Sequence, residues 1–445
     1  MARLNCNWIA IAAQWQFDTF LVLIGKYFVA LSTPYLNTCE QEWREDSVIC
    51  GPLQVQYMRL TRGSLRLMGL WPPPEPGCLS LRKQYLLVVL NILTLAGELQ
   101  YIRTNIQTAT FLELGHCYIT VLMTVTNTVS GLVREFVKDM HLFHLKHRSE
   151  YSMKVFRSVN RICTMFTYAL HGQMVTGALL FNLAPFLTNL RVGLEIPAPP
   201  GVRYQLSIFY WLPFDYQGSV EAFVGVNAIN IFFSFIVGFY FVIVDLFISL
   251  LIFHTWGHLK ILRHNIGSFP SPAACDKELR PAIYSVEESQ HILQLLKDNI
   301  DHHRKIMQFV DECTRVFGPM LFVYSAFHQI CLCILLLECS TLDSAALIEY
   351  GPLTLILVEQ LILLSAVFEL LGTESELLPD AVYAMPWERM QARERRVVLL
   401  LLRRVQVPSR LRALGLVPVG INTALTILKT SLSYFFMLQT MSQHH

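Results

Sequence analysis

The chain has 445 residues, of which 53% are hydrophobic and only 15% are charged. Soluble globular domains carry nearer a quarter of charged residues, so this composition argues against a soluble protein and favours one that crosses a membrane. The formal net charge of +2 says little by itself, and we predict no nucleic-acid partner.

The first apolar stretch, 8–36, is interrupted by Gln14, Gln16, Asp18 and Lys26. Because charged side chains are costly at mid-membrane, we interpret this stretch as an interfacial or packed helix. An eighth span with an outside N-terminus and a signal peptide remain as alternatives. A proline-rich connector at 72–76 then leads to the first predicted span.

Seven apolar stretches long enough to cross a bilayer of about 30 Å follow. We predict spans at 84–102, 111–133, 162–188, 222–253, 309–338, 347–372 and 420–441. The fourth is longer than the roughly 20 residues that a crossing needs, so it should tilt or project beyond the bilayer.

Positive charge is distributed unequally between the two sides of this plan. Thirty Lys and Arg residues lie in the N-terminal segment and the alternate loops, three lie on the other side, and Arg315 and Lys429 fall inside spans. Cytoplasmic loops carry the positive excess, so the N-terminus is predicted inside and the C-terminus outside.

Three polar segments on the predicted cytoplasmic side have helical, amphipathic patterns. They are 134–161, 281–308 and 386–406. The apolar core of the last, 397–402, is too short to span a bilayer. We expect these segments to form cytoplasmic helices, partly as extensions of the spans, that pack into one intracellular bundle.

Four short motifs occur in a fixed order along the chain. They are Leu-Met-Gly-Leu-Trp-Pro at 67–72, Leu-Pro-Phe-Asp at 212–215, Ser-Glu-Leu-Leu at 375–378 and Ile-Leu-Lys-Thr-Ser-Leu-Ser-Tyr-Phe at 427–435. Residues 381–383 and Pro386-Trp387 extend the third motif. The ordered set resembles insect odorant receptors, and the resemblance covers about residues 60–442.

Two departures refine this resemblance. The chain has more residues before its Gly-Leu-Trp-Pro element than the family usually has. Its segment between the fourth and fifth spans is much shorter than that of the family's shared co-receptor, so the chain resembles a ligand-tuned subunit. The ending also lacks the Thr-Tyr, five apolar residues, Gln-Phe pattern of the related gustatory receptors, because Gln439 stands one place early and no Phe follows.

The resemblance implies an all-α fold with seven transmembrane helices. It also implies a tetrameric ligand-gated cation channel, formed with the co-receptor and gated by a small volatile odorant, in the plasma membrane of sensory dendrites. The alternatives are a gustatory-type channel of the same superfamily, a metabotropic receptor and a transporter. No enzyme activity and no cofactor are predicted.

These implications divide the chain into five regions. Residues 1–83 form a cytoplasmic N-terminal region, 84–308 hold spans one to four, and 309–385 hold spans five and six. Residues 386–419 supply an intracellular anchor helix, and 420–445 supply a pore-lining seventh span with a short outer tail.

The last span is more polar than the others, which suits a helix that faces water or a neighbouring helix. By resemblance, Met437 and Met441 occupy the positions of the family's apolar gate, although Met also serves ordinary packing. Candidate pore residues besides these are Thr440, Ser433 and Lys429. Lys429 is expected in a wet inner vestibule, in a pair with Glu359 or Asp245, or reaching toward the cytoplasmic surface.

The ligand pocket is expected in the outer half of spans two to six. Volatile molecules offer few hydrogen bonds, so a mainly apolar pocket with one or two polar groups would bind them. The candidates by depth are Cys117, Thr120, Val121, His171, Met174, Val175, Ala178, Phe223, Val226, Asn227, Asn230, Phe327, Ile330 and Tyr350. Asn227, Tyr350 and His171 are the favoured polar contacts, and His171 could equally be a satisfied core histidine.

No metal site is predicted. The recurrences of His at 141, 144 and 147 and at 254 and 258 lack a closed set of Cys or carboxylate partners. Cys331 and Cys333 lie inside an apolar span and are interpreted as packing residues.

Overall fold

The computed structural model describes residues 51–67, 71, 132–193, 204, 206, 216, 218–272, 283–339 and 344–443. These ranges contain predicted spans three to seven. The stretch 8–36, the connector 72–76, the first predicted span and nearly all of the second lie outside the described residues.

The described residues are almost entirely helical. In chain order the main elements are α1 (Gln56–Leu67), α2 (Glu150–Val192), α3 (Val220–Gly267), α4 (Val286–Cys339), α5 (Ser344–Glu376), α6 (Leu378–Tyr383), α7 (Ala392–Val405), β1 (Arg412–Ala413), β2 (Val417–Pro418) and α8 (Ile421–Gln443). The five long helices α2, α3, α4, α5 and α8 contain the predicted spans three to seven.

Local capping sets where several long helices begin. The Ser149 and Ser219 side chains accept the backbone N–H of Ser152 and Ala222 and cap α2 and α3. At α4, Ser285 and Glu288 form a capping box, in which Ser285 Oγ accepts from Glu288 N at 3.2 Å and Glu288 Oε2 accepts from Ser285 N at 2.7 Å. From Val286 onward, the predicted helix at 281–308 is therefore the first part of α4, continuous with span five.

The long helices alternate in direction and form one bundle. Helix α3 packs against α2, α5 and α4, and α8 packs against α4 and α5. The start of α2, the end of α3 and the end of α5 meet at one end of the bundle, where Tyr151 stacks on His264 and Arg263 pairs with Glu374 at 2.6 Å. This end carries the segments that the charge distribution assigns to the cytoplasm, and we name it the predicted cytoplasmic end.

The segment 134–161, predicted to be helical, is divided into several pieces. A helical turn at 132–135 passes into a π-helix, Phe136–Met140, and then into a 3₁₀ helix, Leu142–His144, before α2 begins at Glu150. His141 breaks the helix because its backbone is extended and its own side chain accepts the N–H of Phe143 at 3.2 Å. The segment is therefore helical at 134–140 and from Glu150 onward, as predicted, but 145–149 are turn or irregular.

The segment 386–406 begins with a 3₁₀ turn, Trp387–Arg389, and continues as α7. After α7, strands β1 and β2 pair as an antiparallel hairpin. Its turn needs positive φ at both Leu414 (51°) and Gly415 (71°), as in a type I′ turn. Leu414 N donates to Gly318 O of α4 at 3.0 Å, so the hairpin is attached to the bundle beside Pro319.

Two stretches of the described residues, Val242–Gly267 and Thr354–Arg389, are long and apolar enough to cross a membrane by length and composition. Helix α1 belongs to the region predicted as cytoplasmic. It runs beside α2, where Gln56 Nε2 donates to Tyr168 Oη at 2.8 Å and the Ser64 hydroxyl donates to His171 Nε2 at 3.2 Å. Its far end therefore lies level with a residue well inside predicted span three.

Candidate functional site

Helix α8 has one side that packs on its own subunit. Ala424, Ile427 and Ser431 are buried on this side, against α4 and α5. Gln329 Nε2 donates to Ser431 Oγ at 2.9 Å, and Ser431 Oγ donates in turn to the Gln329 carbonyl at 3.3 Å. A buried two-way hydrogen bond therefore fixes the rotation of α8 about its axis relative to α4.

The opposite side of α8 is a polar stripe that is exposed in the protomer. Its members are Asn422, Thr426, Lys429, Ser433 and Thr440. The spacings of four, three, four and seven residues follow the helical repeat, so these side chains share one face. Met437 lies on the edge of this face and is 50% exposed, and the side chain of Met441 lies outside the described residues.

Lys429 does not pair with either acid that the sequence suggested. Asp245 is buried and accepts a hydrogen bond from Gln360 Nε2 at 2.6 Å, and Glu359 accepts one from Gln173 Nε2 at 3.4 Å. Over residues 344–443 and the other described ranges, Lys429 makes no ion pair. The pairing alternative is therefore wrong, and Lys429 presents its charge on the exposed stripe.

The pocket candidates on α2 lie on one face of that helix. Met174 and Ala178 are buried, and Val175 is partly buried against the core. His171 is also buried, with Nδ1 donating to the Thr167 carbonyl at 2.7 Å and Nε2 accepting from Ser64. Both ring nitrogens thus have partners within the protein, as in a satisfied core histidine, and a ligand would have to displace Ser64 to reach the ring.

The candidates on α3 likewise share one face. Phe223, Val226 and Asn230 are buried, and the Asn227 side chain donates to the Phe223 carbonyl at 2.9 Å. The Phe223 ring meets Tyr204 of the preceding loop edge-to-face, with centroids 5.7 Å apart. Tyr204 also donates to the Gly193 carbonyl at the end of α2 at 3.3 Å, so it links the end of α2 to the start of α3.

The remaining pocket candidates are placed differently. Ile330 is 43% exposed on the outer surface of α4, so it does not line the interior of the protomer. Phe327 and Tyr350 belong to α4 and α5, and their side chains lie outside the described residues. Cys117, Thr120 and Val121, the predicted wall from span two, also lie outside them.

A buried polar network at the predicted cytoplasmic end was not predicted. His141 Nδ1 accepts the N–H of Phe143, and His254 Nδ1 accepts the N–H of Leu142 at 3.1 Å. In each neutral ring the proton is therefore on Nε2. Both Nε2–H groups donate to the Tyr57 oxygen, from His141 at 2.8 Å and from His254 at 2.6 Å.

The Tyr57 network joins three parts of the chain. The two imidazoles occupy the acceptor capacity of the Tyr57 oxygen. Helix α1, the segment after span two and α3 are thereby joined at one oxygen. Burial, with nearby His144 and His258, holds the pKa of His141 well below its usual value, so the ring stays neutral.

A second pair of histidines lies beside this network. His258 Nε2 donates to the Met140 carbonyl at 3.0 Å, so its Nδ1 accepts from His302 Nε2 at 2.9 Å. Burial and the adjacent His258 lower the pKa of His302 well below its usual value. Among the residues that the structure describes, no group of three or more His, Cys, Asp or Glu is arranged to hold a metal ion.

Three comparisons with known proteins found similar sequences and folds. A profile of the 7tm odorant receptor family matches residues 101–432. The chain is similar to odorant receptor 85d of Drosophila melanogaster, with 26% identity over 155 residues, which is 34% of this chain and only 37% of that protein.

Two solved structures of the insect olfactory receptor OR5 from Machilis hrabei share the fold. One superposes with a TM-score of 0.66 at 15% identity and covers 88% of this chain and 99% of that one. The other, in complex with eugenol, has a TM-score of 0.66 at 17% identity and covers 89% and 100%. The predicted all-α, seven-transmembrane fold is confirmed, and the protein is a membrane protein.

Proposed function

Because the chain belongs to the 7tm odorant receptor family, we propose that it is the ligand-tuned subunit of an odorant-gated, non-selective cation channel. In this proposal a volatile ligand binds between spans two to six and opens a gate in α8. Four subunits, including copies of the family's co-receptor, surround the pore. The assembly lies in the plasma membrane of sensory dendrites.

The polar stripe of α8 carries this proposal. Asn422, Thr426, Lys429 and Ser433 lie on the side turned away from the protomer's own core, within a predicted span. An unpaired ammonium group that faces lipid at mid-membrane costs roughly 2.5–17 kcal/mol, depending on the scale used. A water-filled pore between copies of α8 removes that cost, and permeating cations would pass the hydroxyl and amide groups of the stripe.

Met437 and Met441 are proposed as the gate. They lie near the predicted outer end of α8, one helical turn apart, past Ser433 and on either side of Thr440 in the sequence. A ring of thioether side chains at this level would exclude water from the pore when the copies of α8 are close. A small outward rotation of the helices would let water enter the pore again.

The pocket proposal rests on the buried faces of α2 and α3. Met174, Ala178, Phe223 and Val226 are buried and would form the apolar walls, and the Asn227 amide would supply a polar group. Burial of apolar area at about 25 cal/mol per Å² suits a small volatile molecule. The binding of eugenol by the OR5 relative shows that this fold accepts such a ligand in that protein.

Assembly is proposed to use α7. Its Leu399 and Leu400 side chains are each 66% exposed, beside the exposed Arg396 and Arg403. An exposed apolar pair within a basic helix suits contact with a second subunit better than contact with water.

The test is electrical. The chain is expressed with and without the co-receptor in cells that lack G-protein coupling, and current is recorded under a panel of volatile compounds that includes eugenol. We expect rapid, reversible, cation-selective current with the co-receptor. Ligand-coupled uptake without current would defeat the channel proposal, and so would responses that require G-protein coupling.

The pore face is tested by cysteine accessibility. Ser433→Cys should allow a charged thiol reagent to reduce the current. Leu432→Cys, which lies next along the helix on an apolar exposed edge, is the matched control, and the reagent should leave its current unchanged. Equal effects at both positions would contradict the assignment of the stripe to the pore.

A further inference from the structure

The connector at 406–420, between α7 and α8, is tied to the end of α5 by charged side chains. Arg410 Nη2 lies 2.6 Å from Glu376 Oε1 and 3.3 Å from Glu369 Oε1. The other oxygen of Glu369, Oε2, accepts the backbone N–H of Ile421 at 3.2 Å. One carboxylate therefore binds a cation of the connector and also caps the first residue of α8.

Two glycines make this approach possible. A Cβ at Gly420 would lie 2.5 Å from Glu369 Oε2, closer than real Cβ contacts allow. A Cβ at Gly372 would lie 3.1 Å from the Arg410 guanidinium. The backbone of α5 and the start of α8 are thus shaped around Glu369 and Arg410, and a side chain at Gly420 would displace the carboxylate.

Further hydrogen bonds attach the connector to the bundle, among them one from Ser409 Oγ to Met307 Sδ of α4 at 2.8 Å. Ser409 N donates to Ser375 Oγ of α5 at 2.8 Å, and Leu414 N donates to Gly318 O of α4 at 3.0 Å. The segment that precedes α8 is therefore held on both helices that α8 itself packs against. Glu369 is the one side chain of this set that bonds α8 directly.

We propose that Glu369 and Arg410 are positioning residues that hold the predicted cytoplasmic end of α8 against α5. This inference rests on the proposed channel function of α8. The bound end acts as a fixed point, so opening moves the part of α8 beyond it, where Met437 lies. When ligand displaces α5, Glu369 transmits the displacement to α8, because the connector is bound to the bundle and does not move independently of it.

The variants separate the two bonds of Glu369. Glu369→Gln removes the charge that binds Arg410 but keeps an oxygen for Ile421 N–H, whereas Glu369→Leu removes both. Arg410→Gln removes the cation alone. Asp301→Asn is the matched control, because it breaks an exposed ion pair with Arg304 that is confined to α4.

Two readouts are made on the full chain with its co-receptor: ligand-evoked current normalised to surface protein, and thermal stability in detergent. The probe is the most active compound of the volatile panel. We expect Glu369→Gln and Arg410→Gln each to raise the half-maximal ligand concentration about fivefold, and Glu369→Leu to raise it further. The double variant that combines Glu369→Gln with Arg410→Gln should show the same shift as either single variant. The apparent Tm should show the same non-additivity.

The outcomes are distinct. Shifts no larger than that of Asp301→Asn, or shifts that simply add in the double variant, would overturn the positioning role. If the unmutated receptor gives no current, the channel proposal fails. The contact between Glu369 and Arg410 is then tested only by the apparent Tm values of the single and double variants. Additive changes in Tm would then overturn the positioning role too, and coupled changes would support it.

Discussion

Removal of the Tyr57 hydroxyl tests the buried network at the predicted cytoplasmic end. Tyr57→Phe keeps the ring and its packing but deletes the oxygen that accepts from His141 and His254 at 2.8 and 2.6 Å. The two imidazoles cannot avoid the loss of this acceptor by moving the proton to Nδ1, because each Nδ1 already accepts a backbone N–H. Two buried N–H donors are therefore left without a partner.

The expected loss follows from the cost of an unsatisfied buried donor, about 1–3 kcal/mol each, or about 2–6 kcal/mol for the two. The unfolding entropy of a chain this long, at about 2.1 cal/mol/K per residue, is roughly 0.9 kcal/mol/K. The free-energy loss of Tyr57→Phe therefore corresponds to a fall in Tm of about 2–6 °C.

The assay is thermal unfolding of the detergent-solubilised protein, followed by loss of the monodisperse peak on size exclusion. Tyr168→Phe is the control, since its hydroxyl accepts from Gln56 on the exposed surface of the protomer, where the loss of the bond leaves no buried donor without a partner. A Tm for Tyr57→Phe that equals that of Tyr168→Phe would refute the network as a source of stability.

Three further outcomes are expected. Because burial lowers the pKa of His302, folding disfavours its protonation, so stability should fall as pH drops below about 6.5, and His302→Gln should flatten that part of a Tm-against-pH curve. Asp245→Ala should lower Tm by about 1–3 °C because the Gln360 amide loses its buried acceptor, whereas Asp245→Asn, which keeps an acceptor, should lower it less; equal losses would contradict the hydrogen bond. Ser431→Ala should cost about 1 kcal/mol and shift the half-maximal ligand concentration several-fold, and an unchanged dose–response curve would show that its bond to Gln329 does not hold α8 during gating.

The periodic and charged features of the sequence predicted the helices well. Long apolar runs with charge on one side predict where helices cross, and α2, α3, α4, α5 and α8 contain those runs. The polarity of the last span was also visible in the sequence, but the structure was needed to divide its polar residues between the exposed stripe and the buried Ser431.

Features that depend on distant residues could not be predicted in this way. Tyr57 meets His254 across 197 positions of sequence, and nothing in either local pattern indicates the pairing. Nothing in the sequence around His171 indicates that Ser64 donates a hydrogen bond to its Nε2. The hairpin after α7 was missed because Leu414, rather than the usual Asn or Gly, occupies a turn position with positive φ.

The one-sided polarity of α8 has a consequence for how the receptor is made. If α8 lines a pore as proposed, a lone chain in a bilayer would carry Lys429 on a surface that faces lipid. Assembly would remove that cost, so the amount of folded receptor would depend on subunit concentration, as it does for an obligate oligomer. The supply of partner subunits in the membrane of synthesis, more than the stability of one chain, would then decide how much receptor survives quality control and is exported.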